Sequence, residues 1–98
     1  MTWPVALDRI ARAEASGAHA WYLAHSEVLG ERFRTDLDAV IARVADNPLQ
    51  FPVVEEDVRC ARMRRFPYGV FFRIAGERVR VIACLHGRRD AQQWQRRL

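Results

Sequence analysis

The sequence predicts an α+β fold in which an N-terminal strand and an antiparallel pair of helices pack on a three- to four-stranded, mainly antiparallel sheet. Two segments with apolar residues at three- and four-residue intervals lie within residues 9–45. Three segments of alternating polarity follow within residues 58–90. We therefore expect the helices to cover one face of the sheet, and a short tail to follow the last strand.

The first apolar segment, Trp3–Leu7, is broken by Pro4, which is typical of an edge strand. Asp8 is placed to cap a helix that runs from Arg9 to about His25. Its abundant alanines would let it approach a neighbour closely, and its glycine would mark such a contact. The apolar residues expected to face inward are Ile10, Ala13, Gly17, Trp21 and Ala24.

Ser26 can cap a second helix, which ends near Ala45 because Asn47-Pro48 disfavours further helix. The short join predicts an antiparallel helix hairpin. Residues 46–57 contain two prolines and are expected to form a loop that leads to the sheet. Its residues expected against the core are Phe51, Val53 and Val54. The apolar stripe of the second helix consists of Leu29, Phe33, Leu37, Val40, Ile41 and Val44.

The three strand segments should each present one side to the helices, and Gly76 should lie in the turn between the last two. The side expected to face the helices consists of Tyr68, Val70, Phe72 and Ile74, with Val79, Val81, Ala83 and Leu85. The other side would be a basic concave surface around Phe71, carrying Arg62, Arg64, Arg73, Arg80 and His86. A register error of one residue would invert this assignment.

Length and composition indicate one globular domain that spans residues 1–98. No apolar run approaches the roughly 18 residues that a membrane span needs, and no signal peptide is evident, so we expect a cytoplasmic protein. Cys60 and Cys84 lack the spacing of metal ligands and are expected to be reduced thiols. Neither a metal nor a cofactor is indicated.

All sixteen cationic residues are arginines, and their distribution is uneven. Residues 1–50 carry five Arg against seven Asp and Glu, for a net charge of −2, whereas residues 51–98 carry eleven against five, for +6. Every cationic side chain thus ends in a planar guanidinium, which can bind a phosphate or a carboxylate through two hydrogen bonds. This polarity favours an anionic partner for the C-terminal half, and both nucleic acid and an acidic polypeptide are candidates.

Five short motifs occur in an order that covers almost the whole chain. The motifs are AEASGAHAWY at Ala13–Tyr22, LGERF at Leu29–Phe33, NP at Asn47-Pro48, RRFPYGVFFRI at Arg64–Ile74, and HGRRD at His86–Asp90 with Trp94 and Arg97 after it. In this order they resemble the RelE/ParE superfamily, the toxins of type II toxin–antitoxin systems that include plasmid stabilisation proteins. FPY and HGRRD are closer to the ParE-like branch.

The resemblance implies a toxin that inhibits growth and is neutralised by a cognate antitoxin. The ParE-like branch is associated with DNA gyrase and has no agreed catalytic set, which makes gyrase or replication the leading target. The alternatives are a ribosome-dependent mRNA endoribonuclease, as in the RelE-like branch, and a non-toxic relic that only binds antitoxin. Whether the chain is an enzyme, a homodimer or a hetero-oligomer with antitoxin stays open.

The nuclease pattern is matched only in part. Gly69 stands where that branch has an arginine, and Trp94 replaces its late tyrosine, so His86 would have to transfer the proton. Candidates for catalysis, if the chain is a nuclease, are Arg62, Arg64, His86 and Arg88. Candidates for binding target or antitoxin are Arg59, Arg62, Arg64, Arg65, Tyr68, Arg73, Arg80, His86, Arg88, Arg89 and Trp94.

Overall fold

The structure, a computed structural model, describes residues 2–87 and Arg96. Five strands and two long helices lie in the order β1, α1, α2, β2, β3, β4, β5, with one 3-10 turn after α2. Their bounds are Val5–Leu7 for β1, Arg9–His25 for α1, Glu27–Asp46 for α2, Pro48–Gln50 for the 3-10 turn, Val53–Glu55 for β2, Val58–Arg62 for β3, Tyr68–Ala75 for β4 and Arg78–His86 for β5.

The sheet has five strands in the order β1-β5-β4-β3-β2, which confirms the α+β architecture and adds a strand to it. β1 lies at one edge of the sheet, as predicted, and runs parallel to β5. The other neighbours are antiparallel. The added strand is β2, which forms inside the segment predicted as a loop and pairs with β3 at the opposite edge.

The helix ends lie where the polar residues predict them. Asp8 Oδ1 accepts a hydrogen bond from the Ala11 N–H at 2.8 Å, and Ser26 Oγ accepts one from the Leu29 N–H at 3.3 Å. Each bond satisfies a backbone donor that has no partner within its own helix. Asn47 ends α2 and its side chain caps the 3-10 turn that follows. Neither helix is long and apolar enough to cross a membrane, within the residues described.

The predicted inward face of α1 is wrong. The face that packs on the sheet carries Ala11, Ala15 and Ala18, while Ile10 and Trp21 are 49% and 55% exposed. Both faces repeat at helical intervals, so periodicity alone could not separate them. The alanine face lies inward because its small side chains let the helix backbone approach β5 closely.

The two glycines of the hairpin have opposite surroundings. Gly17, predicted at a close contact, has nothing within 4 Å of the position a Cβ would take. Gly30 is the close contact, because a Cβ there would collide with the side chain of Leu23 and lie 3.0 Å from its Cα. The absence of a side chain at Gly30 therefore lets α2 pack closely against Leu23 of α1.

Gly17→Ala is expected to stabilise the protein by about 0.5–1 kcal/mol. Alanine removes the entropic cost of a glycine within a helix, and the added methyl group meets no neighbour at this exposed position. Urea denaturation of both proteins measures the difference. A loss of stability would show that the outer face of α1 is more crowded than the structure indicates.

A β-bulge in β5 divides the predicted faces. Phe71 of β4 pairs with Ala83, whereas the next residue, Phe72, pairs with Val81. Ile82 is the additional residue, and it shifts the alternation of side chains from there onward. Cys84 consequently faces the helices, and Ala83 and Leu85 face away from them, which reverses the prediction for this half of the strand.

The core has one cluster on each face of the sheet. The larger lies between sheet and helices and includes Phe33, Tyr68, Val70 and Phe72, as predicted for α2 and β4. Of the loop residues, Phe51 is buried, but Val53 and Val54 are 49% and 45% exposed on the edge strand β2, contrary to expectation. The smaller cluster, on the face opposite the helices, consists of Val58, Cys60, Phe71, Ile82, Ala83 and Leu85.

Candidate functional site

The face opposite the helices is not the continuous basic surface that the alternation predicted. The cross-strand register places Arg62 beside Gly69 and Arg73 beside Arg80 on this face. Buried apolar side chains lie between these two basic positions, and Phe71 is among them. Arg62 and Arg80 are exposed, so the face presents separated cations around an apolar cluster.

Arg73 is engaged within the protein. Its Nε lies 3.0 Å from Asp57 Oδ1, and its Nη2 lies 4.0 Å from Glu56 Oε2. Both carboxylates belong to the β2–β3 turn, where Glu56 has a φ of 51°. Arg73 therefore neutralises much of the acidic turn and holds it against β4, which weakens it as a candidate for binding an external anion.

Arg59 is also turned inward. Its side chain is on the helix side of β3, where Nη1 donates a hydrogen bond of 2.6 Å to the Phe51 carbonyl oxygen. Arg59 and Arg62, two of the predicted binding residues, therefore lie on opposite faces of β3. Arg59 supports the loop before β2.

Tyr68 and His86 lie on the helix side of the sheet. They are cross-strand partners with ring centroids 5.5 Å apart, and Tyr68 is buried. Tyr68 also contacts the rings of Tyr22 and Phe33. The prediction of His86 on the basic face is therefore wrong, since the β-bulge turns it to the other side.

Arg64 and Arg65 follow the end of β3 and approach α2. The Arg65 N–H donates a hydrogen bond of 3.0 Å to Asp36 Oδ2, which anchors the β3–β4 loop to the helix. Together they line a cleft of about 550 Å³, which we call the arginine cleft. The residues that line it are Val28, Glu31, Arg32, Thr35, Asp36, Ala39, Arg64 and Arg65.

Arg32 was missed by sequence reasoning. It lies in the acidic half of the chain, apart from the arginines of residues 59–65. The available signal was its position on α2, one turn after Val28 and on the polar side of the apolar stripe. Arg88, Arg89 and Trp94 lie outside the described residues.

The two thiols have no arrangement for catalysis. Cys60 and Cys84 are free, buried and on opposite faces of the sheet. Burial raises the pKa of the Cys60 thiol, although the nearby Arg62 guanidinium lowers it. Burial and the Glu14 carboxylate raise the pKa of Cys84 to about 12. Both therefore stay protonated and unreactive near pH 7. No group of three or more potential metal ligands occurs among the described residues.

One family model matches most of this chain, and a solved structure shares its fold. The sequence profile of the family described as ParE toxin of type II toxin–antitoxin system, parDE, matches residues 5–91. A solved structure entitled "Chromosomal ParDE TA system from P. aeruginosa" superposes with a TM-score of 0.75 at 17% sequence identity, covering 87% of this chain and 96% of that one. No curated protein matches the sequence.

Proposed function

We propose that this chain, which belongs to the ParE toxin family of type II toxin–antitoxin systems, inhibits growth by binding DNA gyrase or another component of DNA replication. In this proposal a cognate antitoxin neutralises it in the cytoplasm. The family membership supports a toxin with an antitoxin partner. The choice of a binding mechanism over a catalytic one depends on where the side chains lie.

The observation that carries this choice is the separation of Arg62 from His86 by the sheet. Cleavage of RNA by its 2′-hydroxyl needs a proton-transfer group beside the cations that stabilise the phosphorane. Arg62 faces away from the helices, whereas His86 lies on the helix side against Tyr68. Arg62 and His86 thus project from opposite faces of the sheet, which disfavours their joint action on one phosphate.

A second observation against the nuclease alternative is that Gly69 stands where the nuclease branch has an arginine. This position lies beside Arg62, where a second cation would complete a phosphate site. A Cβ at Gly69 would lie 3.0 Å from Cys60 Sγ and 3.3 Å from a ring carbon of Phe71. Apolar packing therefore occupies the space that the nuclease arrangement would need, which favours a binding surface.

We expect induction of the toxin alone to produce filamentous cells and DNA-damage signalling while protein synthesis continues. Microscopy, a damage-responsive reporter and incorporation of labelled methionine measure the three effects, and co-expression of the antitoxin should abolish them. Purified toxin should inhibit supercoiling by gyrase in vitro. Prompt arrest of protein synthesis with mRNA cleavage at the ribosomal A site would contradict the proposal, and no effect on growth would favour the relic.

A variant separates the two mechanisms further. His86→Ala should leave growth inhibition intact after correction for protein level, because the proposal gives this ring no proton-transfer role. Loss of toxicity in a folded His86→Ala protein would favour the nuclease. Circular dichroism and thermal unfolding verify folding, which is needed because the ring packs against Tyr68.

A further inference from the structure

We infer that the arginine cleft binds an acidic segment of the antitoxin, one that also carries an apolar side chain. The inference rests on the proposed function and specifies the surface and the chemistry of the partner. The cleft joins two segments that are distant in the sequence: α2, which contributes Arg32, and the β3–β4 loop, which contributes Arg64 and Arg65.

The three arginines are available to a partner. All three are exposed, and none forms an ion pair within the part of the chain that the structure describes. By contrast, Arg59 and Arg73 are bound to groups of the protein itself. A guanidinium fork binds a carboxylate through two parallel hydrogen bonds, so three such forks around one cleft suit a segment with several acidic residues.

The cleft is held in shape before any partner binds. Asp36 accepts the hydrogen bond from the Arg65 N–H, which fixes the β3–β4 loop against α2. Arg64 and Arg65 are thereby kept beside Arg32. Such preorganisation lowers the entropic cost of ordering the interface on binding.

The rest of the lining favours a polypeptide over a nucleic acid. Val28 is 58% exposed and Ala39 is exposed, and together with Arg32 and Thr35 they follow one face of α2 at helical spacing. This line covers eleven residue steps, or about 16 Å at the rise of an α-helix. A peptide can place an apolar side chain on Val28 and carboxylates on the arginines.

A phosphate backbone fits the same surface less well. Glu31 and Asp36 also line the cleft, and their carboxylates would repel phosphates that recur at regular intervals along a strand. A peptide can leave those positions without an acidic side chain. The mixed lining therefore identifies an acidic amphipathic segment as the occupant.

The test measures the affinity of the full-length toxin for its cognate antitoxin, with both proteins purified separately. Arg32→Glu and Arg64→Glu should each weaken binding about tenfold or more at 0.15 M salt, since each replaces a charge-assisted hydrogen bond by repulsion. Arg78→Glu is the matched control, because it makes the same charge change at the exposed start of β5. It should change the affinity less than about twofold. Raising the salt to 0.5 M should reduce the difference between the variants.

Several outcomes overturn the inference while the proposed function stands. These are unchanged affinity in Arg32→Glu and Arg64→Glu, an equal loss in Arg78→Glu, or loss of toxicity without loss of antitoxin binding, which would assign the cleft to the toxic target. Weakened binding to a duplex DNA oligonucleotide with unchanged antitoxin affinity would assign it to nucleic acid. If the wild-type protein neither stops growth nor binds the antitoxin, the proposed function fails and the inference with it.

Discussion

Phe33→Ala is expected to lower the free energy of unfolding by about 3–5 kcal/mol. Phe33 is 0% exposed, and its ring lies 5.1 Å from that of Tyr22, 5.2 Å from that of Phe66 and 5.4 Å from that of Tyr68. The substitution leaves a cavity where α1, α2 and the start of β4 meet. Urea denaturation followed by tryptophan fluorescence and circular dichroism measures the loss.

Phe33→Leu is the control for this prediction. It keeps an apolar side chain and much of the volume, so it should cost clearly less than alanine. The edge-to-face contacts with Phe66 and Tyr68 would still be lost, which accounts for a smaller loss of about 1–2 kcal/mol. Equal losses for leucine and alanine would show that ring geometry rather than filled volume determines the stability at this position.

The helix ends and chain breaks could be predicted because short-range chemistry determines them. Asp8 and Ser26 each reach a backbone N–H three residues along the chain, and Asn47-Pro48 ends α2 regardless of what lies nearby. The position of Phe33 on the inner face of α2 was likewise clear, since the opposite face of that helix is polar. Such features are independent of the tertiary structure.

The inner face of α1 and the added strand could not be predicted in the same way. α1 has apolar residues on two faces, and the close packing of its small side chains against β5 determined which one is buried. β2 comprises three residues, and it becomes a strand only because β3 lies beside it. Both outcomes depend on partners that are remote in the sequence.

The candidate site was predicted in composition but not in arrangement. A single additional residue, Ile82, moves His86 to the helix side and divides the basic surface. No strong local signal marks this bulge, because the residues around it are as apolar as those of a regular strand. The N–H of Cys84, just beyond the bulge, donates a hydrogen bond of 3.1 Å to Glu14 of α1, a partner seventy residues away. The arginine cleft likewise depends on a contact between distant segments, because the β3–β4 loop packs against α2 and so places Arg64 and Arg65 near Arg32.

Gly69→Ala is expected to lower the free energy of unfolding by about 1–3 kcal/mol, although alanine is usually the better residue outside turns. The new Cβ would lie 3.0 Å from Cys60 Sγ and 3.3 Å from the ring of Phe71, and both side chains are buried. Gly17→Ala makes the same change in open space and should act in the opposite direction. Thermal and urea unfolding of the two variants test this contrast.

Cys60→Ala should partly rescue Gly69→Ala, because it removes the sulfur atom at the shorter of the two contacts. A double-mutant cycle should give a coupling energy of about 0.5 kcal/mol or more, whereas additive losses would show that the sulfur is not the obstacle.

The crowding around Gly69 also bears on function. Gly69→Arg would restore the cation of the nuclease branch only by displacing Cys60 and Phe71, so we expect a destabilised protein that does not cleave RNA. Cleavage by this variant would show that the apolar cluster can accommodate the side chain, and that a single residue separates the binding surface from a catalytic one.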